Sequence, residues 1–538
     1  MEDILSSKTL DHLGLVSGMC EELDLATQID SCFPQDLFRR EVSIGRICKA
    51  LILNGLGFVE CRLYMVSNFF EDKPTELLLG QGVEADHLND TVIGRALDEI
   101  QAYGCTKLFG QLVPTICQRL SLSSRFAHLD STSFHLDGVY NSENPPAADA
   151  AVLHLTQGYS RDHHPELNQV VLNLITDHQA GIPLHMEALS GNTDDKSSFR
   201  ATIQNHVSQL QNVSNAKYLV LDSAGYAQET LAAYPEGVKW VSRVPATLKA
   251  CKEALNADLM FQELSEGYRY ASLCSLYGGI KQRWLVIHSE QAYKREMRTL
   301  TKNYHKQSTH EYKQVLAFGK KEFACQADAQ NALEALMGKM KTLRLEKVEW
   351  KEKMHYKGRG RPGKNSQEAH ISYSGRLKVS CPVAYFQAIE QQKGKFILAT
   401  NQLDSQELED DEILAAYKGQ SKVERGFRFL KDPQFVASNL FVKKPERVEA
   451  LVFIMTLCLT VYAAIEYRIR QLLLLREVFL PNQLGKPIQN PTTRWIFELF
   501  RGIHILYAMD KVLILNLKEI HRKILELLGQ EYKKYYLC

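Results

Sequence analysis

The sequence predicts a mixed α/β fold in which a sheet-bearing core is interrupted by an inserted domain and flanked by helical regions at both ends. Three observations carry this. Residues 11–119 place apolar side chains at three- and four-residue spacing, the helical period. From Arg125 to Val244 the texture becomes three strands, a helix, a strand, a helix and a strand, each bounded by Gly, Pro or turn-forming residues. After Pro245 that order breaks down for roughly 150 residues, enough for an inserted domain, before strand texture returns at Phe396–Thr400.

Taken in order, residues 1–120 form an N-terminal helical domain, clearest at Ile44–Leu56 and Val92–Tyr103. The first part of the core, 125–245, holds strands at Arg125–Leu136, Gln169–Asp177 and Ile182–Leu189, then a helix at Ser197–Leu210. Lys217–Leu221 is a short apolar strand that turns through Asp222, Ser223, Ala224 and Gly225 into a helix over Tyr226–Ala233, and Val238–Val244 follows as a strand. Residues 246–395 form the insertion, with a strand at Trp284–His288 and a basic helix around Ala332–Lys353. Lys357–Lys364 reads KGRGRPGK, and three Gly with one Pro keep it from being helical throughout. The second part of the core, 396–475, opens with the strand at Phe396, continues through an acidic patch and enters a long helix from Ile413. Ala450–Ile465 is an uncharged apolar run of 16 residues. A membrane helix needs about 20, so a buried core helix is expected and no membrane partner is. Residues 476–538 complete the chain as a C-terminal helical region.

The chain has 538 residues with Lys+Arg 64 against Asp+Glu 63. Evenly spread, that balance would argue against a polyanionic partner. It is uneven: residues 1–120 carry 10 basic and 18 acidic residues, a net of −8, whereas residues 281–364 carry 20 and 9, a net of +11. The insertion can therefore present a positive surface, or a solvated helical face. The start Met1-Glu2-Asp3 has the wrong charge for a secretory leader, so a cytoplasmic location is expected. The 12 Cys contain no C-x-x-C pair and read as reduced, mostly core thiols.

Three carboxylates stand in positions suited to chemistry. Asp130 lies in the strand His128-Leu129-Asp130-Ser131-Thr132, where alternation puts it on one face with His128 and Thr132. Asp222 ends the apolar strand Tyr218–Leu221, as a helix cap or as a ligand at the carboxyl edge of a sheet. Glu424 lies in the stretch from Tyr417 to Lys431. At about 100° per residue, Tyr417, Gln420, Glu424, Arg428 and Lys431 fall inside an arc of about 80°. That face joins an aromatic hydroxyl, an amide, a carboxylate and two cations; a solvated face with Glu424–Arg428 ion pairing has the same pattern.

The motif Y-x2-Q-x3-E-x6-K at Tyr417–Lys431 resembles the Y-x2-R-x3-E-x6-K signature of bacterial insertion-sequence DDE transposases. Asp130-Ser131-Thr132 matches that family's D-x-T block. Asp222-Ser223-Ala224-Gly225-Tyr226 resembles its strand-end D-x-G-Y/F block with one extra residue before the Gly, and Trp240–Val244 resembles its apolar strand ending in Arg, here Arg243. Gly158-Tyr159-Ser160 with Pro165 and Gln169, and Ser190-Gly191-Asn192-Thr193, are similar to further blocks. Spacing agrees: 92 residues separate Asp130 from Asp222 and 202 separate Asp222 from Glu424, room for the insertion such enzymes carry. The departure is Gln420, where the family has Arg; Arg425 or Arg428 are substitutes for that phosphate contact.

The resemblance implies an RNase H-like mixed sheet interrupted by the insertion, and a transposase that binds terminal inverted repeats, cleaves at the element ends and joins 3′-hydroxyls to target DNA. It implies two Mg²⁺ ions, with Mn²⁺ as a substitute: Asp130 bridging both, Asp222 on one and Glu424 on the other, an oxygen donor set that suits a hard cation. Tyr417, Gln420, Arg428, Lys431 and Arg243 are then expected to contact DNA. In some relatives the tyrosine-bearing signature accompanies a flipped base and a hairpin intermediate. Trp284 is a stacking platform for such a base or a core residue. Arg359-Gly360-Arg361-Pro362 resembles an AT-hook core, which inserts Arg into a narrow minor groove, or is a flexible basic loop. The N-terminal domain is a candidate reader of the element ends, and paired ends imply a homodimer in a synaptic complex, working on nucleoid DNA. Two rivals share these residues: a catalytically inactive transposase descendant that only binds DNA, and an RNase H-like metal-dependent nuclease without strand transfer.

Overall fold

The computed structural model describes residues 5–34, 40–58, 65–136, 153–159, 164–232, 234–357, 368–432, 444–508 and 511–537. The chain divides into a first unit, Met1–Arg243 with Ser275–Arg283 and Ala399–Cys538, and a second, Val244–Cys274 with Trp284–Leu398.

The first unit opens with strand β1 (Leu5–Thr9) and helices α1 (Leu13–Glu22), α2 (Leu25–Ser31), α3 (Ile44–Leu56), α4 (Val66–Glu71), α5 (Thr75–Leu79), α6 (Asp90–Tyr103) and α7 (Cys105–Leu120). Ser43 and Asn89 start α3 and α6 by accepting the amides of Arg46 (3.3 Å) and Val92 (3.1 Å), the usual work of short polar caps. The core follows: β2 (Phe126–Leu136), β3 (Asn168–Asp177), β4 (Pro183–Ser190), α8 (Asp195–Val213), β5 (Tyr218–Leu221), α9 (Gln228–Ala232) and β6 (Lys239–Arg243). These strands lie in the order β4-β3-β2-β5-β6. β2 pairs antiparallel with β3 and parallel with β5, and β5 pairs parallel with β6, so the sheet is mixed. The central strands β3 and β5 are buried almost throughout, which explains their continuous apolar texture. One sheet face is covered by α8: Asn173, opposite Ser131 in register, donates to Thr202 on that helix at 3.3 Å.

The second unit contains α10 (Lys249–Asn256), β7 (Gln262–Ser265), α11 (Glu290–Phe318), α12 (Gln326–Met337), β10 (Arg344–Tyr356), β11 (Glu368–Ser380) and α13 (Val383–Glu390), with the larger parts of β8 (Tyr268–Tyr277), β9 (Ile280–Ser289) and β12 (Lys395–Thr400). The basic helix expected over Ala332–Lys353 is absent. α12 stops at Met337, capped by Gly338, and β10 pairs antiparallel with β11. Val348 and Trp350 alternate with Glu349 and Lys351, a period of two, and this hairpin partner overrides the local helical pattern. Gly375 faces Trp350 in register, and a Cβ there would sit 2.7 Å from the indole. Trp284 is 2% exposed and is a core residue.

The first unit resumes with α14 (Asp410–Gly419), α15 (Ser421–Leu430), α16 (Pro445–Leu475), β13 (Leu480–Pro481), β14 (Pro487–Ile488), α17 (Thr493–Leu499), β15 (His504–Ala508), β16 (Lys511–Leu515), α18 (Glu519–Leu528) and α19 (Gln530–Lys533). By length and composition α16 could cross a membrane, yet most of its apolar run is buried against α1, α3, α6, α7 and β4, as a core helix. The C-terminal region is not wholly helical, as had been expected. β15 and β16 form a hairpin whose first strand pairs with β1, so the two ends of the chain share one sheet. The apolar run Val512–Leu515, with β-branched Val512 and Ile514, is the strand signal there.

Candidate active site

Parallel pairing puts two carboxylates side by side. Leu129 of β2 is the register partner of Leu221 of β5, so the next residues, Asp130 and Asp222, lie on neighbouring strands, which run about 4.8 Å apart. Both are half-buried. Asp130 Oδ1 accepts the amide of Ser131 at 2.8 Å, and Asp222 Oδ1 accepts that of Ala224 at 2.8 Å, so each carboxylate is oriented by the backbone beyond it. Asp222 therefore does cap the turn at Ser223–Gly225, and does so from the carboxyl edge of the sheet.

The third carboxylate is delivered by α15, which follows α14 and packs against β2. Three contacts give the alignment. Arg125, just before β2, pairs with Glu412 and donates to Glu407 O at 2.9 Å. Gly419 lies against His128, since a Cβ on it would sit 3.1 Å from His128 Nε2. Lys431 Nζ lies 6.0 Å from the centre of the Phe134 ring. From Gly419 to Lys431 a helix advances about 18 Å, and from His128 to Phe134 a strand advances about 20 Å. Glu424 is then about 7.5 Å along the helix, and Asp130 is about 6.6 Å along the strand. By this count Glu424 comes to about the level of Asp130, on the helix packed against β2. Lys422 anchors the start of α15 by donating to His178 O (2.6 Å) and Gln179 O (3.1 Å) in the β3–β4 turn.

The helix buries Val423, Phe427 and Leu430 and exposes Glu424 and Arg428. Tyr417 and Lys431 are half-buried at the margin, whereas Gln420 is 7% exposed, on the packed side of the arc. Arg243 is exposed at the end of β6. Arg359 and Arg361 lie outside the described residues.

His128 Nε2 and His178 Nδ1 are 2.9 Å apart beneath Gly419. Burial first, with the neighbouring His178 and Lys422 adding to it, holds His128 down to about 3. His178 is held down to about 4 by burial and Lys422, so both rings are neutral. They are packing groups under α15, and not acid–base candidates at neutral pH.

One feature had no single-helix signal. Against α15 and the β3–β4 turn, a cleft of about 360 Å³ is lined by Lys422, Arg425, Arg428, Arg470 and Arg494 with Asp432 and Glu466. Arg494 pairs with Asp432 at 3.2 Å and Arg470 with Glu466 at 2.8 Å, which leaves a positive excess in the lining. Its cations come from α15, α16 and α17, so no local spacing reveals them.

Asp194 accepts the amide of Ser197 at 3.1 Å and caps α8. His164 pairs with Glu166 at 3.1 Å in an exposed loop.

Residues 124–461 match the family described as Transposase DDE domain, and residues 5–114 match a domain of unknown function (DUF4277). No curated protein matches the chain. The cryo-EM structure of the piggyBac transposase synaptic complex with hairpin DNA aligns over 92% of this chain and 81% of that one, at 8% identity and a TM-score of 0.36. That likeness is too loose to transfer functional detail.

Proposed function

The chain belongs to the Transposase DDE domain family, and from that premise we propose that it is a transposase of a bacterial insertion sequence that cuts DNA at the element ends and joins the 3′-hydroxyls to target DNA. The observation that carries this is the parallel register that sets Asp130 and Asp222 side by side at the ends of neighbouring strands, with the Glu424-bearing helix α15 packed against β2. An antiparallel run of three strands continued by two parallel ones, with an acid on the central strand, supports the RNase H-like reading.

The donor set fits divalent Mg²⁺, with Mn²⁺ as a substitute: three carboxylates provide hard oxygen ligands, and Glu424 is exposed, leaving room for the waters Mg²⁺ retains. Two such ions would supply charge stabilisation for the attacking and leaving oxygens of the phosphodiester. The chain's own part is to hold DNA. Arg428, one turn beyond Glu424, can grip a phosphate as a fork, and Lys431 as a point charge. Arg243 follows Ser242, the register partner of Leu221, and so lies level with Asp222; Tyr417 is a further DNA contact in this proposal, and the cationic cleft extends the track for a backbone. Arg425 and Arg428 take over the phosphate contact that the family assigns to an Arg at the position of Gln420. Synapsis of two ends by a homodimer, action on nucleoid DNA in the cytoplasm, and readout of terminal repeats by residues 1–120 belong to the same proposal.

The test uses pre-cut duplexes from the DNA flanking the coding region, a supercoiled target plasmid and Mg²⁺. Joined products are expected. Cleavage of intact ends without joining would identify a nuclease, and binding without either reaction would identify a DNA-binding descendant.

A further inference from the structure

The sheet face opposite the three carboxylates carries a second cluster that phosphoryl transfer does not use. Register separates the two faces: Asp130 pairs with Leu174 and Leu174 with Met186, whereas Ser131 pairs with Asn173 and Asn173 with Glu187. His185 and Glu187, two apart on β4, therefore point to the α8 side, where His206 on that helix meets them. One ligand atom from each of His185, Glu187 and His206 lies within 4.8 Å of the other two. The two imidazole rings have centroids 4.4 Å apart and planes 33° from parallel.

Two details point to a ligand. His185 is 8% exposed and its Nε2 has no hydrogen-bond partner, a costly state for a buried ring nitrogen unless something takes its lone pair. Glu187 is held in place: Thr202 on α8 donates to its Oε2 at 3.1 Å, and Asn173 donates to Thr202 Oγ1 at 3.3 Å. A carboxylate oriented by a hydroxyl, itself oriented by an amide, is the outer support that metal ligands need.

We propose that His185, Glu187 and His206 bind a zinc-class divalent cation that clips α8 to the edge strand β4. Two imidazoles and one carboxylate favour Zn²⁺ over Mg²⁺, and three protein ligands leave a fourth position for water. The site is separate from the carboxylates of the active face. Its place in the fold gives it a purpose: α8 leads through residues 214–217 into β5, whose end carries Asp222, so the clip steadies the segment that delivers a catalytic residue.

The test is a titration of chelator-treated full-length protein with Co²⁺, followed by visible absorption and by competition with Zn²⁺. One equivalent is expected to give the ligand-field bands of a tetrahedral site. The bands should disappear in His206→Ala and persist in Asp130→Asn. Thr202→Val keeps all three ligands and should weaken Co²⁺ affinity by about 10–100-fold; it carries the test should His206→Ala fail to fold. Absence of the bands in wild type, their survival in His206→Ala, unchanged affinity in Thr202→Val, or their loss in Asp130→Asn would each overturn the proposal.

Discussion

Replacing Gly419 by Ala should cripple cleavage while leaving DNA binding nearly intact. The added Cβ would lie 2.4 Å from His178 Nδ1 and Cε1 and 3.1 Å from His128 Nε2. Ordinary carbon contacts begin near 3.5 Å, so about 1 Å of movement is required. His178 is restrained from giving way by its bond to His128 at 2.9 Å and by Phe126, whose ring centre is 5.7 Å away. The displacement therefore falls largely on the junction of α14 and α15, five residues before Glu424. Overpacking costs about 1–3 kcal/mol, and the better helix propensity of Ala returns about 1 kcal/mol, so stability is a blunt readout. Catalysis is the sharp one, because a misplacement of about 1 Å lowers rates about 10²-fold. Single-turnover cleavage of a labelled end, with fluorescence anisotropy for binding, should show that loss with affinity changed only a few-fold. Adding His178→Ala removes the obstruction and should recover part of the rate. Wild-type cleavage by Gly419→Ala would refute the docking of α15 on β2 as the device that positions Glu424.

Other outcomes follow from the same geometry. Asp177 is 3% exposed, and burial pushes its carboxyl up to about 6 against the amides of Ala180 and Gln179 and the charge of Lys422. A raised carboxyl pKa contributes stability below the unfolded value near 4 and loses it as pH rises through about 6. Asp177→Asn should thus gain on wild type from pH 4 to 6 and keep a plateau of about 1–3 kcal/mol above it, read by urea unfolding; a gain that shrinks as pH rises contradicts this. Arg425→Ala and Arg494→Ala, in the cleft between α15, α16 and α17, should weaken DNA binding across sequences. Each should lower the slope of log affinity against log salt by about 1, and an unchanged slope removes the cleft from the DNA path.

Much of the core was legible because its signals are local. The apolar run Tyr218–Leu221 ending in Asp222, the alternation around Asp130 and the helical wheel of Tyr417–Lys431 each need only a short window. Which carboxylates meet depends on the parallel pairing of β2 with β5, which no window contains; the family resemblance stood in for it. The wheel also grouped Gln420 with Glu424, yet the same helix must bury Val423 and Phe427, and Gln420 falls to that side. β10 was misread because its charged residues mask a two-residue alternation that becomes decisive only beside β11. The strand β15 has no complete local signal because one of its partners, β1, lies almost 500 residues earlier in the chain, and β16 pairs only with β15. The cationic cleft and the His185–Glu187–His206 cluster share the same obscurity: each is assembled from elements that only the fold brings together.

The central claim, that Asp130, Asp222 and Glu424 form one DNA-cutting site, is tested most directly by single-turnover cleavage of a labelled element end in Mg²⁺ by wild type, Asp130→Asn, Asp222→Asn and Glu424→Gln. Each substitution keeps the side chain's shape and removes its charge. Cutting should fall to background in all three variants while each still binds the end with near wild-type affinity. Substantial cutting by any one of them would show that its carboxylate is not part of the site.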